Sequence, residues 1–392
     1  MGWGYRVLKV KITNFKSVDA AELDLAPLTL LLGPPASGKS NILDAIALIG
    51  YFNRLMVLDK EYDNNASNLE PLTLITRFNV HEQLFRHHDL MKRIGIEVTN
   101  DVEQLKLGIY FEGGKLNVSL NDVNIPWDLR ALPSNPMQEV RNALNQATKS
   151  RLVEARLYGY DRYGLASSTC TSPTICGFHM HLRNMSIRAV PKHIMSEFGW
   201  NAPLLIKSAS DVIIHLNNTI VENLGEKVEV KVLRSGITTI FDYDVEVETL
   251  TVSDSVFRVL YYLMALRTAA NYIKFHGLER RFILLLEEPE AHLFPFFLNL
   301  LVRYIVEAMK AAYIVITTHN PMLVSLLWDQ VKDVKTYYTF RDSVGSTKIV
   351  EINVEKLAEE MVTIEEILFM PPREVLKRYA IESAKTPKTN MV

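Results

Sequence analysis

Gly33-Pro34-Pro35-Ala36-Ser37-Gly38-Lys39-Ser40 decides how the rest of this chain is read. It follows an apolar run, Leu28 to Leu32, and precedes a helix-like run from Asn41 to Leu48. Strand, glycine-bounded loop with Lys and Ser, then helix is the layout of a phosphate-binding loop. Backbone N–H groups of such a loop and the N-terminus of the following helix both aim positive dipole at an anion. Lys39 would reach the outer phosphates, and the Ser40 hydroxyl would hold Mg²⁺. The competing reading is a chance match inside a turn, and the flanking strand and helix weigh against it. A bound nucleoside triphosphate is the expectation.

Working outward, residues 5–13 alternate Val7, Leu8, Val10 and Ile12 with Arg6, Lys9 and Lys11, the period of a half-buried strand. Asn14-Phe15-Lys16-Ser17 reads as a turn and Ala21 to Leu25 as a second strand. Downstream, Gly95 to Val98, Gln104 to Phe111 and Lys115 to Leu120 have strand character, with Glu112-Gly113-Gly114 as a hairpin turn. Met137 to Leu157 has helical spacing, and residues 158–200 read as an inserted loop or lid. Helix is expected from Asn201 to Leu224, strands over Lys227–Leu233 and Thr238–Val247, and a helix over Ser253–Tyr272. Val334–Phe340 and Lys348–Ile352 read as paired strands.

Two later stretches repeat the design of an apolar strand ending in polar groups. Phe282 to Leu286 is a continuous apolar run, as in a parallel sheet covered on both faces. It ends in Glu287-Glu288-Pro289-Glu290. In P-loop enzymes such a strand is expected beside the P-loop strand, with its first carboxylate orienting the Mg²⁺ shell and the next polarising the attacking water. Tyr313 to Thr317 leads into Thr318-His319-Asn320-Pro321, where His319 could sense the γ-phosphate.

The totals remove other classes. At 392 residues, 48% hydrophobic and 22% charged, the chain has material for a large core. A net charge of −2 supplies no strongly basic field, so any nucleic-acid contact must come from a local patch. Two cysteines, Cys170 and Cys176, suit a reducing compartment. With neither a signal-peptide pattern nor a membrane-length apolar run, a cytoplasmic protein that does not enter a membrane is expected.

Taken together, Asn14-Phe15-Lys16-Ser17, the Gly33–Asn41 loop, Glu287-Glu288-Pro289-Glu290-Ala291-His292-Leu293 and Thr318-His319-Asn320-Pro321 resemble the ATP-binding heads of the RecF, SMC and OLD proteins. These are ABC-type ATPases loosely grouped with AAA ATPases, and the resemblance covers roughly residues 5–50 and 250–340. It implies a two-lobed α/β P-loop NTPase with a mixed, largely parallel central sheet, an N-terminal antiparallel portion and an inserted helical or loop lid. The head would comprise residues 1–60 and 225–392, with 61–224 between. Nucleotide would be bound by Gly33, Pro34, Pro35, Ala36, Ser37, Gly38, Lys39, Ser40 and Asn41, with Mg²⁺ on Ser40 and Glu287. Glu288 would be the catalytic base and His319 the switch. Two ATP molecules would be sandwiched in a head-to-head homodimer.

The family's signature loop, a Ser followed by two glycines at a helix start, corresponds here to Thr251-Val252-Ser253-Asp254-Ser255. Ser253 and Ser255 can supply hydroxyls and the helix its dipole, but both glycines are missing. Asp254 would repel phosphate unless it caps the helix. The family's Gln or Arg coupling loop, after the first lobe's helix, has Gln83 as its candidate.

Within the family, the span between the lobes lacks the heptads of SMC coiled coils, and only 73 residues follow His319, without a nuclease-type acidic pair. A stand-alone head remains: an ATP-hydrolysing, dimerising switch on DNA or on a separately encoded effector such as a nuclease or toxin. The alternative is a nucleotide-binding scaffold that does not hydrolyse. Cys170, Cys176, His179 and His181 match no standard zinc spacing and read as incidental. Tyr158, Tyr160 and Tyr163 could stack bases, with packing as the plainer reading. His292 fits either a dimer seam or a helix start.

Overall fold

A computed structural model describes residues 7–54, 76–78, 80–101, 103–126, 154–159, 193–197, 199, 202–225, 228–232, 238–247, 254–277 and 282–381. In chain order the strands and helices begin with β1 (Leu8–Phe15), β2 (Val18–Leu25), β3 (Leu28–Leu32) and α1 (Lys39–Arg54). There follow β4 (Ile94–Thr99), β5 (Gln104–Glu112), β6 (Lys115–Leu120), β7 (Val123–Pro126) and β8 (Glu154–Tyr158). Next come α2 (Ser210–Leu224), β9 (Val228–Val232), β10 (Thr238–Asp242), β11 (Val245–Val247) and α3 (Asp254–His276). The last part holds β12 (Phe282–Glu287), α4 (Pro295–Met309), β13 (Tyr313–Thr317), α5 (Pro321–Gln330), β14 (Val334–Arg341), β15 (Thr347–Glu351), α6 (Val354–Glu359) and α7 (Pro372–Tyr379).

Twelve strands form one sheet in the order β7-β6-β5-β4-β1-β2-β15-β14-β3-β13-β12-β8. Strands β14, β3, β13, β12 and β8 run parallel, whereas β2, β1 and β4 to β7 run antiparallel. β9, β10 and β11 make a separate three-stranded sheet. Residues of the parallel strands alternate between two cores. Leu284, Leu286, Ile314 and Ile316 face α3, α4 and α5, while Ile283, Leu285, Tyr313 and Val315 face the side of α1. Burial on both faces is why these strands read as unbroken apolar runs. α3 is buried nearly all round between Val256 and Leu266, a helix inside the fold rather than on it.

Three expectations are corrected. β12 does not lie beside the P-loop strand: β13 intervenes, paired with β3 on one side and β12 on the other. Strand order is set by crossovers between distant segments, which leave no trace in either strand's own residues. The helical spacing over Met137–Leu157 does not hold at its end, because Glu154–Tyr158 is an edge strand parallel to β12. The rest of that stretch lies outside the described residues. Thr238–Val247 is a hairpin, turning at Tyr243 and Asp244, which both have positive φ. Of the region read as a lid, residues 194–197 pack inward. The Tyr158 hydroxyl donates to the Met195 carbonyl at 2.9 Å, and Met195 N donates to Thr268 Oγ1 at 3.0 Å. Tyr158 is thus a packing residue, while Tyr160, Tyr163, Cys170, Cys176, His179 and His181 lie outside the described residues. Residues 94–126 and 154–158, within the segment set between the lobes, supply β4 to β8 of the large sheet.

Candidate functional site

β3 ends at Leu32, and the chain enters the loop through Gly33 at φ 139° and leaves it through Gly38 at φ 102°. A Cβ on Gly33 would overlap the Thr339 carbonyl, and one on Gly38 would overlap the Thr347 side chain. Glycine is therefore required twice, by backbone angle and by approach. Lys39, 5% exposed, donates from Nζ to the carbonyls of Gly33 (2.8 Å) and Pro34 (3.0 Å), so the loop closes around its ammonium. Burial pulls Lys39 down to about 8, against the pull of Glu288, Glu287 and Glu290.

A run of hydroxyls locks this loop to the rest of the sheet. Asn41 Nδ2 donates to Ser17 Oγ (2.6 Å), Ser17 shares a hydrogen bond with Thr347 Oγ1 (2.7 Å), and Thr347 donates to the Ser37 carbonyl (3.0 Å). Ser37 Oγ meets Thr339 Oγ1 at 2.7 Å, and Arg341 Nε donates to the Ala36 carbonyl at 2.9 Å. Pro35 stands exposed at the loop tip, and Ser40 is the second residue of α1.

The acidic strand and the histidine strand deliver their polar ends side by side. Glu288 leaves β12 with φ 42°, a left-handed conformation uncommon outside glycine, and its N–H donates to the Thr317 carbonyl at 3.0 Å. Its Oε1 lies 3.1 Å from His319 Nε2. That hydrogen bond, against the cost of burial, holds the Glu288 carboxyl below its ordinary range. Asn320 caps α5 by accepting from Met322 N (2.9 Å) and Leu323 N (3.2 Å), with Pro321 at the first helical position. The residues flanking His319 therefore have their own structural tasks, and the imidazole is left to face Glu288.

Sequence reasoning did not assign five residues gathered here. Glu290 is 5% exposed and accepts from the Thr318 hydroxyl; burial pushes it up to about 7. Asp44, fully buried in α1, binds Lys16 Nζ at 2.6 Å. Arg77 lies 3.5 Å from Asp44 Oδ2 and 3.5 Å from Glu287 Oε1. Arg341, the last residue of β14, binds the loop through the Ala36 carbonyl as described. Lys16 could have been found from the Asn14–Ser17 stretch, and Glu290 from its place in the acidic run. Arg77 and Asp44 carry no local signal, since their partners come from segments distant in sequence.

Lys16, Arg77, Arg86, His87, His88 and Arg341 line a cavity of about 610 Å³ with Ser17 and Asn41 beside the loop, and among the described residues no carboxylate lines it. Gln83 is on the same wall. Such a cavity suits a polyanion, and the oxygens of Ser40 and Glu287 are hard donors of the type magnesium takes. On the signature side, Ser253 lies outside the described residues. Asp254 is bound by the buried Arg258 at 3.1 Å, which offsets its charge, and Ser255 Oγ accepts from Phe294 N at 3.2 Å. Ser255 and His292 line a second, apolar cavity of about 510 Å³, which no loop residue reaches.

Residues 28–325 match a family described as AAA domain, putative AbiEii toxin, Type IV TA system. No curated protein matches the chain significantly. Among solved structures, the chain is similar to an SMC head bound to the C-winged helix domain of ScpA, at 13% identity and TM-score 0.51, over 91% of this chain and 100% of that one. An Smc head with an extended coiled coil, bound to the C-terminal domain of ScpA and derived from Pyrococcus furiosus, aligns at 14% identity and TM-score 0.48, over 92% and 99%. Likeness at this identity is one of fold. Among the described residues no helix is long and apolar enough to cross a membrane.

Proposed function

The chain belongs to this AAA-domain family, and on that premise we propose that it binds and hydrolyses MgATP as a switch that dimerises with nucleotide bound. The observation that carries the reading is the Glu288–His319 pair, 3.1 Å apart at adjoining strand ends within electrostatic reach of Lys39. In this reading Gly33 to Asn41 cradle the phosphates through backbone N–H groups. Lys39 exchanges its two carbonyl partners for phosphate oxygens; with its ammonium at about 8 it is charged at neutral pH, and phosphate keeps it so. Magnesium, held by Ser40 and Glu287, would neutralise charge on the transferred phosphoryl group. Glu288, kept ionised by His319, accepts the proton of the attacking water at Oε1 or Oε2. His319 then reports the loss of phosphate by reorienting.

Ser253, Ser255 and the start of α3 would cap the nucleotide of a second subunit. The head comprises 1–60 and 225–392, with 61–224 completing its sheet. The protein acts in the cytoplasm on a separately encoded effector or on DNA, and the toxin wording of the family description supports the effector version. Glu288→Gln should lower phosphate release about 10²- to 10⁴-fold while retaining ATP. The same variant should elute as a dimer with ATP; a monomer at every nucleotide concentration defeats the switch. A non-hydrolysing scaffold is favoured by one observation, the hydrogen bond that engages Ser255 within its own chain. Equal phosphate release from wild type and Lys39→Ala would select it. Duplex binding that is salt-sensitive and ATP-dependent would favour DNA.

A further inference from the structure

We propose that Arg77 occupies the metal's place beside Glu287 in the nucleotide-free protein, and that loading of the divalent cation drives its guanidinium toward the phosphates. The inference rests on Glu287 being a metal ligand, as read above.

Three features converge on Arg77. Its backbone is held at φ 48°, a left-handed conformation that is unfavourable for a non-glycine residue and persists only where the surroundings impose it. The constraint is visible: Lys16 Nζ donates to the carbonyl of Thr76 and lies 3.5 Å from that of Arg77, and is itself anchored on buried Asp44 at 2.6 Å. The guanidinium fork then spans two carboxylates, 3.5 Å from each, one on α1 and one at the end of β12. Glu287 is mostly buried, with a side chain 12% exposed, whereas that of Arg77 is 39% exposed. A carboxylate so far removed from water needs a counter-charge, and an arginine on a surface turn can supply one and withdraw it.

A divalent cation on Glu287 would stand next to that guanidinium, and like charges at contact distance exclude one another. Arg77 also lines the 610 Å³ cavity, whose described walls are cationic or neutral throughout. Among the described residues no carboxylate lines that cavity, so the arm of the guanidinium released from Glu287 can turn to a phosphate oxygen of the ligand while the other stays on Asp44. Metal loading and phosphate grip are thereby coupled through one side chain, with Asp44 as its pivot.

Mn²⁺ titrations without nucleotide, followed by electron paramagnetic resonance, and ATP titrations with Mn²⁺ or with chelator, both on the Glu288→Gln background, test this. Arg77→Ala should tighten Mn²⁺ roughly three- to tenfold, because the competitor is gone. In the same variant ATP should bind several-fold more weakly with Mn²⁺ present, and unchanged with chelator. Arg77→Lys, which keeps charge without the fork, should fall between. Arg77→Gly relieves the backbone and should match Arg77→Ala, separating lost charge from lost fold. Mn²⁺ affinity that drops in Glu287→Gln yet stays unchanged in Arg77→Ala and Arg77→Gly overturns the inference and spares the metal reading. Mn²⁺ affinity indifferent to Glu287→Gln removes the metal reading and the inference with it.

Discussion

Strands β3, β12 and β13 run parallel and are buried along both faces, whereas β1 and β4 run antiparallel and bury every second residue. The difference decides where each half can place chemistry. Parallel strands end on one edge together, so Gly33, Glu288 and His319 collect there without any long loop. Antiparallel strands end alternately on opposite edges, so this half reaches the site through turns. Lys16, Arg77, His87 and His88 all have positive φ, and all line the cationic cavity. The parallel half supplies acid–base groups on a fixed frame, and the antiparallel half supplies basic side chains on constrained turns.

The comparison breaks if the antiparallel half turns out to be held by packing alone. Asp44→Asn leaves Lys16 without its buried carboxylate, and it should lower stability by on the order of 3 kcal/mol, read as a lower urea midpoint at unchanged slope. An unchanged midpoint would show that the charge pair is incidental. On the parallel side the sharper test is Glu290. Its folded value of about 7 lies above the ordinary 4.5, so the native state keeps a proton that the unfolded chain has released. Stability should therefore fall as pH rises from about 4.5 to 7 and then level off. Glu290→Gln retains an acceptor for Thr318 and should remove that slope, gaining on the order of 2 kcal/mol at pH 7.5. Parallel slopes in both proteins would mean that Glu290 titrates normally. The smallest effect belongs to the frame itself: Asn320→Ala removes the cap of α5 and should cost about 1 kcal/mol in thermal or urea unfolding.

Much of the parallel half was legible because its signals are local. The apolar runs of β3, β12 and β13 and the polar groups at their ends sit within a few residues of one another. β8 was not, since five residues, Glu-Ala-Arg-Leu-Tyr, on a sheet edge follow helical spacing upstream and have little period of their own. Nor was the position of β13 between β3 and β12, which is a fact about pairing rather than composition. The Lys16–Asp44–Arg77–Glu287 cluster draws on the β1–β2 turn, α1, a separate turn and β12, so no window of sequence contains it. Asp44 in particular reads as an ordinary polar position in a helix until the fold buries it.

The Thr339 and Thr347 hydroxyls that brace the Gly33–Ser40 loop come from 302 and 310 residues downstream. On a ribosome adding about 5–20 residues per second, the loop emerges roughly 15 to 60 s before its walls exist. For that interval Gly33 to Ser40 lack the two hydroxyls that brace them in the folded chain. ATP bound once both are in place would favour the finished fold over any partial one, making the ligand a late stabiliser of newly made chains.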